Sequence, residues 1–413
     1  MSFSNVNRWL KVLLAVLFAL SIAGVSDAQT TSGTLSGNET WSGTVILTGD
    51  VTVPVAVTLT IEPGTEVVFP AGSDDTSSGD GVTSLIVQGS LVAVGASGSE
   101  ILFKSDALVP SKGDWGSIEA TWGLGLKTFN LQYCIVSHST GGIRWLVQAS
   151  AIQNATVSNC TVEETTGTAI HLYGDSGADI TIGVDNNIVR NGDSHGIYAY
   201  ASGSSSTLNG TIDGNTISDN SGFGLLCYTY TNAVSNVSLS NNIINSNGSC
   251  GMYVRTYNYA NATIEIDGNN LDNNGIVTTD ANYRHGLYVH TYQYSTSAVD
   301  VTNNTMTNSV RFGIYEYIYN QSMGTGSISG NTVHDNHEHG IQLYTQSNNA
   351  GAWSDFDLYN NTVYSNSGYG IYCPTYYSNL TIDVTGNEVY QSTYGIYCRS
   401  QSNTSYRMNA LIS

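Results

Sequence analysis

Arg255 and His290 stand at equivalent places in two stretches that read alike, "CGMYVRTY" and "HGLYVHTY". Tyr253, Tyr288 and, in the next stretch "FGIYEY", Tyr315 surround them. β-Elimination or epimerisation beside a uronate carboxylate needs a cation to neutralise that carboxylate and a base to take the adjacent proton. Arg255 could be the cation, with His290 or Tyr288 as the base. The longest insertion between such stretches, "IVTTDANYRH", separates the pair and is expected to cover it as a lid. Two facts weigh against catalysis: few other cations accompany Arg255, and a formal charge of −20 repels a uronate polymer.

Other residues of chemical interest are less sharply placed. Glu265 and Asp300 fall at equivalent positions, as do Asp357 and Asp383, and Asp185 and Asp213. Such pairs could bind calcium or serve a glycosidase, but solvated acids among Ser and Thr explain them as well. The stretch "HDNHEHG" gathers His334, His337 and His339, yet His195 and His285 share the position of His339 before a glycine, which gives that residue a structural explanation. No metal or other cofactor is expected, calcium standing as the weak exception. Cys373 and Cys398 share one inward column, and Cys134 and Cys160 another position, so stacked core thiols are the default and a strained disulfide formed after secretion the alternative. Alternation aims Glu316 inward between Val289 and Leu343, where burial would raise its pKa, with a local bulge that turns it away as the equal alternative.

The elements that position these residues come from a repeat. The glycines of the aromatic stretches, Gly196, Gly224, Gly251, Gly286, Gly313, Gly340, Gly370 and Gly395, are mostly about 27 residues apart. An Asn-rich turn keeps the same period, at Asn187, Asn215, Asn242, Asn269, Asn304, Asn331, Asn361 and Asn387. Apolar residues alternate in runs of about five, as in "TIEIDG", so the units are strands rather than helices. Three short strands fit in each unit: one before the Asn, one after it, and the aromatic one. A unit this small cannot bury its apolar face alone, so successive units must stack in register as coils of a parallel β-solenoid. Stacked Asn side chains at one corner are then expected to form a hydrogen-bonded ladder.

Alternation turns the residue after each glycine inward and the next one outward. The outward columns hold Tyr198, Tyr253, Tyr288, Tyr315, Tyr372 and Tyr397, then Tyr200, Tyr228, Tyr317 and Tyr344, then Tyr257 and Tyr292. Cross-strand tyrosines stabilise a sheet, which is one reading. Flat amphipathic rings also suit the faces of sugars, which makes the same surface a candidate for binding carbohydrate or another cell-surface polymer.

Composition agrees with an all-β chain: 413 residues, only 5 Pro, 44 Gly, and 27 Tyr against 8 Phe. Residues 1–28 read as a secretory leader, with Arg8 and Lys11 before an apolar run and Ser26 and Ala28 at the cleavage site. The mature chain is therefore expected to be secreted, extracellular, at the cell surface or in the periplasm. Its acidity excludes nucleic acid as a partner, and no later segment is apolar enough for membrane insertion.

With its "GNTISDN" and "GI" repeats the chain resembles the right-handed parallel β-helix proteins of the pectate-lyase-like superfamily, strongly over roughly 131 to 400. Residues 29–130 resemble the N-terminal coils that often begin such solenoids, and 131–413 the regular repeats. The resemblance implies a fold on which lyases, hydrolases, epimerases and adhesins are all built, and it places the substrate face on the aromatic strand. The expectation is a β-helix of about fourteen coils that binds carbohydrate through its tyrosines in an adhesin-like or scaffold role. A polysaccharide lyase or epimerase at Arg255, His290 and Tyr288 is the alternative. The segment "SNTSYRMNALIS" reads as the start of a further, uncapped coil, so the C-terminus is expected to be truncated or to associate end to end as a structural rod.

Overall fold

The structure, a computed structural model, describes residues 28–73, 81–122, 127–148, 152–347, 351–401 and 408–412. The leader expected over 1–28 lies outside the described residues except for Ala28.

The regular coils contain the three expected strands, whereas at the N-terminal end Thr44–Val53 runs as a single strand through two of the three positions. In one regular coil the aromatic strand Leu225–Tyr230 leads to a second strand, Val234–Ser240, and a short third, Ile243–Asn245. Each pairs in parallel with its equivalents one coil away: the aromatic strand with Ile197–Ser202 and Met252–Tyr257, the second with Thr207–Asp213 and Asn261–Asp267. The second strands form a sheet of 14, in line with about fourteen coils. Even the long insertion leaves the register intact, because Met252–Tyr257 still pairs residue for residue with Leu287–Tyr292.

The period-two pattern fills the interior. Leu225, Met252, Leu287, Ile314, Ile341 and Ile371 are all fully buried, as the residue after each glycine should be. Burying each such side chain stabilises the fold by roughly 1.5–3 kcal/mol. Trp41, Trp115 and Trp145 fill the earlier coils. Inside the later ones, the hydroxyl pairs Thr229–Ser235 (2.7 Å) and Thr291–Ser297 (2.6 Å) satisfy each other at the corner.

The asparagine ladder is continuous from Asn187 to Asn387. Each Asn directs its backbone N–H and its side-chain amide at the carboxamide oxygen of the next, as Asn242 does to Asn269 (both 2.9 Å). The same amide also donates to a carbonyl of the preceding coil, Ile212 O for Asn242 (2.9 Å). A second ladder, not foreseen from the sequence, runs five residues further along through Asn220, Asn247 and Asn274, and again through Asn336 and Asn366. Ser309 interrupts it, and its hydroxyl is buried without a partner.

The residue before each ladder Asn turns the corner in the left-handed region, and there Asn and Gly alternate: Asn241 (φ 53°), Gly268 (φ 65°), Asn303 (φ 56°), Gly330 (φ 65°). The Asn side chain occupies the space above the glycine, since a Cβ on Gly268 would sit 2.9 Å from Asn241 Oδ1. Gly268→Ala is therefore expected to cost about 1–2 kcal/mol from the left-handed backbone alone. A lowered urea midpoint is the expected result; an unchanged one would show that the corner accommodates a methyl group.

Candidate functional site

The aromatic columns stand where alternation puts them, but the rings stack on one another. Successive centroids lie one strand spacing apart: Tyr173–Tyr200 and Tyr200–Tyr228 at 5.0 Å, Tyr257–Tyr292 at 5.0 Å, Tyr292–Tyr319 at 5.1 Å, with planes within 29° of parallel. Coplanar rings laid side by side would need wider spacing, so each ring covers the face of the next and shows solvent its edge and hydroxyl. This corrects the expectation of flat ring faces open to a ligand. Tyr198, Tyr200, Tyr228, Tyr257, Tyr292, Tyr315, Tyr317, Tyr344 and Tyr372 are half-buried, and Tyr397 is exposed.

A second correction concerns the first outward column. Tyr253 and Tyr288 are buried, although they point out of the coil. They belong to a small apolar cluster outside the coil with Leu226 and Cys250, flanked by Phe223 and Tyr283. Tyr283 comes from the insertion, where Asp280 caps a single turn over Ala281–Tyr283. Its ring meets Phe223 edge-on (5.4 Å, 86°) and lies 5.7 Å from Tyr253. The insertion thus packs over this spot as expected of a lid.

Beside that cover, Asn282, Tyr283, Arg255, His290, Tyr292 and Tyr319 line a pocket of about 260 Å³. Arg255 lies between Tyr228 and His290 in strand register, with its guanidinium over the rings of Tyr228 (5.0 Å) and Tyr257 (4.8 Å). Among the described residues no carboxylate pairs with it, and its Nε is buried without a partner. His290 stacks on Tyr317 (5.1 Å, 13°), and its Nδ1 meets the hydroxyl of Tyr253 at 3.3 Å. Burial, then the charge of Arg255, pushes the imidazole pKa down to about 3, so the ring is neutral. Burial also raises the Tyr288 phenol well above its ordinary value. The proposed trio of Arg255, His290 and Tyr288 is therefore brought together, with one cation and two neutral rings.

Three of the other histidines serve the backbone. Nδ1 of His195, His285 and His339 accepts the N–H of Phe223 (3.1 Å), Phe312 (3.4 Å) and Tyr369 (3.0 Å) one coil on. His334 instead meets Asp335 (2.7 Å) and His337 the carbonyl of Ser309 (3.1 Å), so the three imidazoles of "HDNHEHG" are directed apart. Glu265 and Asp300 are exposed register partners, and Asp300 accepts from the N–H and hydroxyl of Ser327. Among the described residues no group of three or more His, Cys, Asp or Glu is placed to hold a metal ion.

Residues 276–411 match the family described as the right handed beta helix region. The protein is a right-handed parallel β-helix. This β-helix is similar to the A-module of mannuronan C-5 epimerase AlgE4 from Azotobacter vinelandii, with 16% identity over 86% of this chain and 91% of that one and a TM-score of 0.49. It is also similar to pectate lyase Pel9A (11% identity, 81% and 70% of the two chains, TM-score 0.37). A third similar structure is the Streptococcus pneumoniae surface protein and adhesin PfbA (10%, 89% and 92%, 0.30). Likenesses this remote concern the fold alone. No curated protein sequence matches the β-helix. No helix among its described residues is long and apolar enough to cross a membrane.

Proposed function

We propose that this β-helix binds an acidic polysaccharide along its tyrosine-rich face, outside the cell, in an adhesin-like or scaffold role. One observation carries the reading: Arg255, a cation with no carboxylate partner among the described residues, sits between aromatic rings on the wall of a sugar-sized pocket in an otherwise acidic chain. A guanidinium left unpaired there suits the carboxylate of a sugar acid, and the surrounding phenol hydroxyls suit its neighbours along a polymer. The net charge of the chain opposes a polyanion only at distance, because physiological salt screens beyond about 8 Å. The leader-like first 28 residues support export.

Elimination or epimerisation needs an accessible base whose pKa lies near the working pH. His290 has a pKa of about 3 with its Nε2 buried, and Tyr288 is buried with a raised pKa, so neither meets that need. The geometry accordingly favours binding over turnover. Calorimetric titration with oligogalacturonate is expected to show binding that Arg255→Gln weakens roughly 10- to 100-fold, the value of a hydrogen bond to a charged group. Binding indifferent to Arg255→Gln would overturn the assignment. An ultraviolet signal from unsaturated uronate, lost in His290→Ala, would instead make the protein a lyase.

A further inference from the structure

Three to five coils nearer the N-terminus, roughly 15–25 Å from Arg255 along the same face, lies a larger cleft of about 340 Å³. Its floor comes from glycines of three successive coils, Gly116, Gly141 and Gly167. A Cβ on these would meet Ser84 Oγ at 1.9 Å, Arg144 Cδ at 2.7 Å and Thr140 O at 2.8 Å respectively. A side chain at Gly167 would run into backbone, and one at Gly116 or Gly141 would displace Ser84 or Arg144, so the recess lies where these three positions carry none.

Three functional groups stand in line along the cleft, each one strand from the next: Glu119, Arg144 and His171. Arg144 Nη1 donates to Glu119 Oε2 at 2.7 Å, with both side chains partly open to solvent. His171 lies flat on Tyr198 (4.9 Å, 3°) and is kept neutral, its pKa pushed down to about 4 by burial and then by Arg144. The contrast with Arg255 decides the ligand class. Here the guanidinium charge is already compensated, so the site makes no demand for an anion. Glu119 keeps a second carboxylate oxygen as acceptor, and the guanidinium keeps N–H groups beyond the one it gives to Glu119. Two adjacent hydroxyls match that pattern, one donating to the carboxylate and the next accepting from the guanidinium.

We infer that this cleft is a second subsite, which takes an uncharged sugar or polyol by a vicinal diol held between Glu119 and Arg144. The inference rests on the carbohydrate reading of the face and extends it: the polymer would carry neutral units toward one end of the rod and acidic units at Arg255.

Titration of the full chain with mannose, a neutral manno-oligosaccharide and trigalacturonate tests it. The neutral probes are expected to bind. Arg144→Met and Glu119→Gln should each lower the ratio of neutral to acidic affinity tenfold or more, and Arg255→Gln should raise it. Thr168→Phe, which fills the mouth and leaves the ion pair alone, should also lower that ratio, with thermal melting confirming the fold. If trigalacturonate binds and the neutral probes do not, or if neutral binding ignores Arg144→Met and Thr168→Phe alike, this inference fails and the function proposed above stands. If the neutral probes bind at the cleft and trigalacturonate does not bind at all, the acidic-polymer reading fails and the subsite remains.

Discussion

Replacing Asn242 by leucine is expected to remove about 3–5 kcal/mol of folding free energy, several times the effect of the same change at Asn387. Asn242 is fully buried. Its carboxamide oxygen accepts both the backbone N–H (3.0 Å) and the side-chain amide (2.9 Å) of Asn215, while its own amide satisfies Ile212 O. Leucine leaves the Asn215 N–H and Ile212 O without these partners where water cannot reach, and strips the Asn215 amide of one of its two acceptors, Val184 O (2.8 Å) being the other, at roughly 1–3 kcal/mol for each bond lost, offset in part by the apolar surface gained. Asn387 makes the same kinds of bond to Leu358 O and Asn361, but it is half-exposed, so water replaces much of what is lost. The check is urea unfolding of both variants, joined to hydrogen exchange of residues 225–272, because a solenoid can open coil by coil. Equal, small losses at both positions would mean that the ladder follows the corner rather than holding it.

The architecture was legible because the signals that specify it are local and repeated. Ladder asparagines and inward aliphatics recur at one period, so register followed from aligning the chain with itself; alternation pointed Glu316 inward but left a local bulge as an equal reading, which its burial decides against. The second ladder carried the same signal, Asn five residues after Asn215, Asn242 and Asn269, but Gly192 and Ser309 interrupt it and blur the column. Burial of Tyr253 and Tyr288 was beyond reach for a different reason. Alternation says which side of a strand a residue takes, whereas their cover comes from Phe223 and Tyr283, which meet only after the insertion folds back. The flat-ring expectation failed on spacing, since side chains repeated every strand stand closer than ring widths allow. The pair Glu119 and Arg144 escaped notice because "WGSIEATW" lacks the aromatic repeat that aligned the later coils. Opposite charges in "GSIEA" and "GGIRW" were the signal that would have found it.

Glu316 yields the sharpest dependence on pH. Its side chain is fully buried between Val289 and Leu343, both oxygens lack partners, and burial pushes its pKa from 4.5 up to about 8. In the unfolded chain the group releases its proton near its ordinary value, while the folded protein holds that proton until about pH 8. Between those limits the folded state binds more protons than the unfolded state, so stability falls as pH rises, and it levels off above about 8. The full drop is on the order of 5 kcal/mol. Glu316→Gln abolishes this contribution, and Glu316→Leu also relieves the cost of a buried acid without a hydrogen bond, about 1–3 kcal/mol at every pH. Urea unfolding of the protein and of Glu316→Gln across this range is expected to give curves that meet at acid pH and separate steadily to alkaline pH, the variant being the more stable. Curves that stay parallel would mean that Glu316 finds a partner or reaches water, and that this column of the core is not closed.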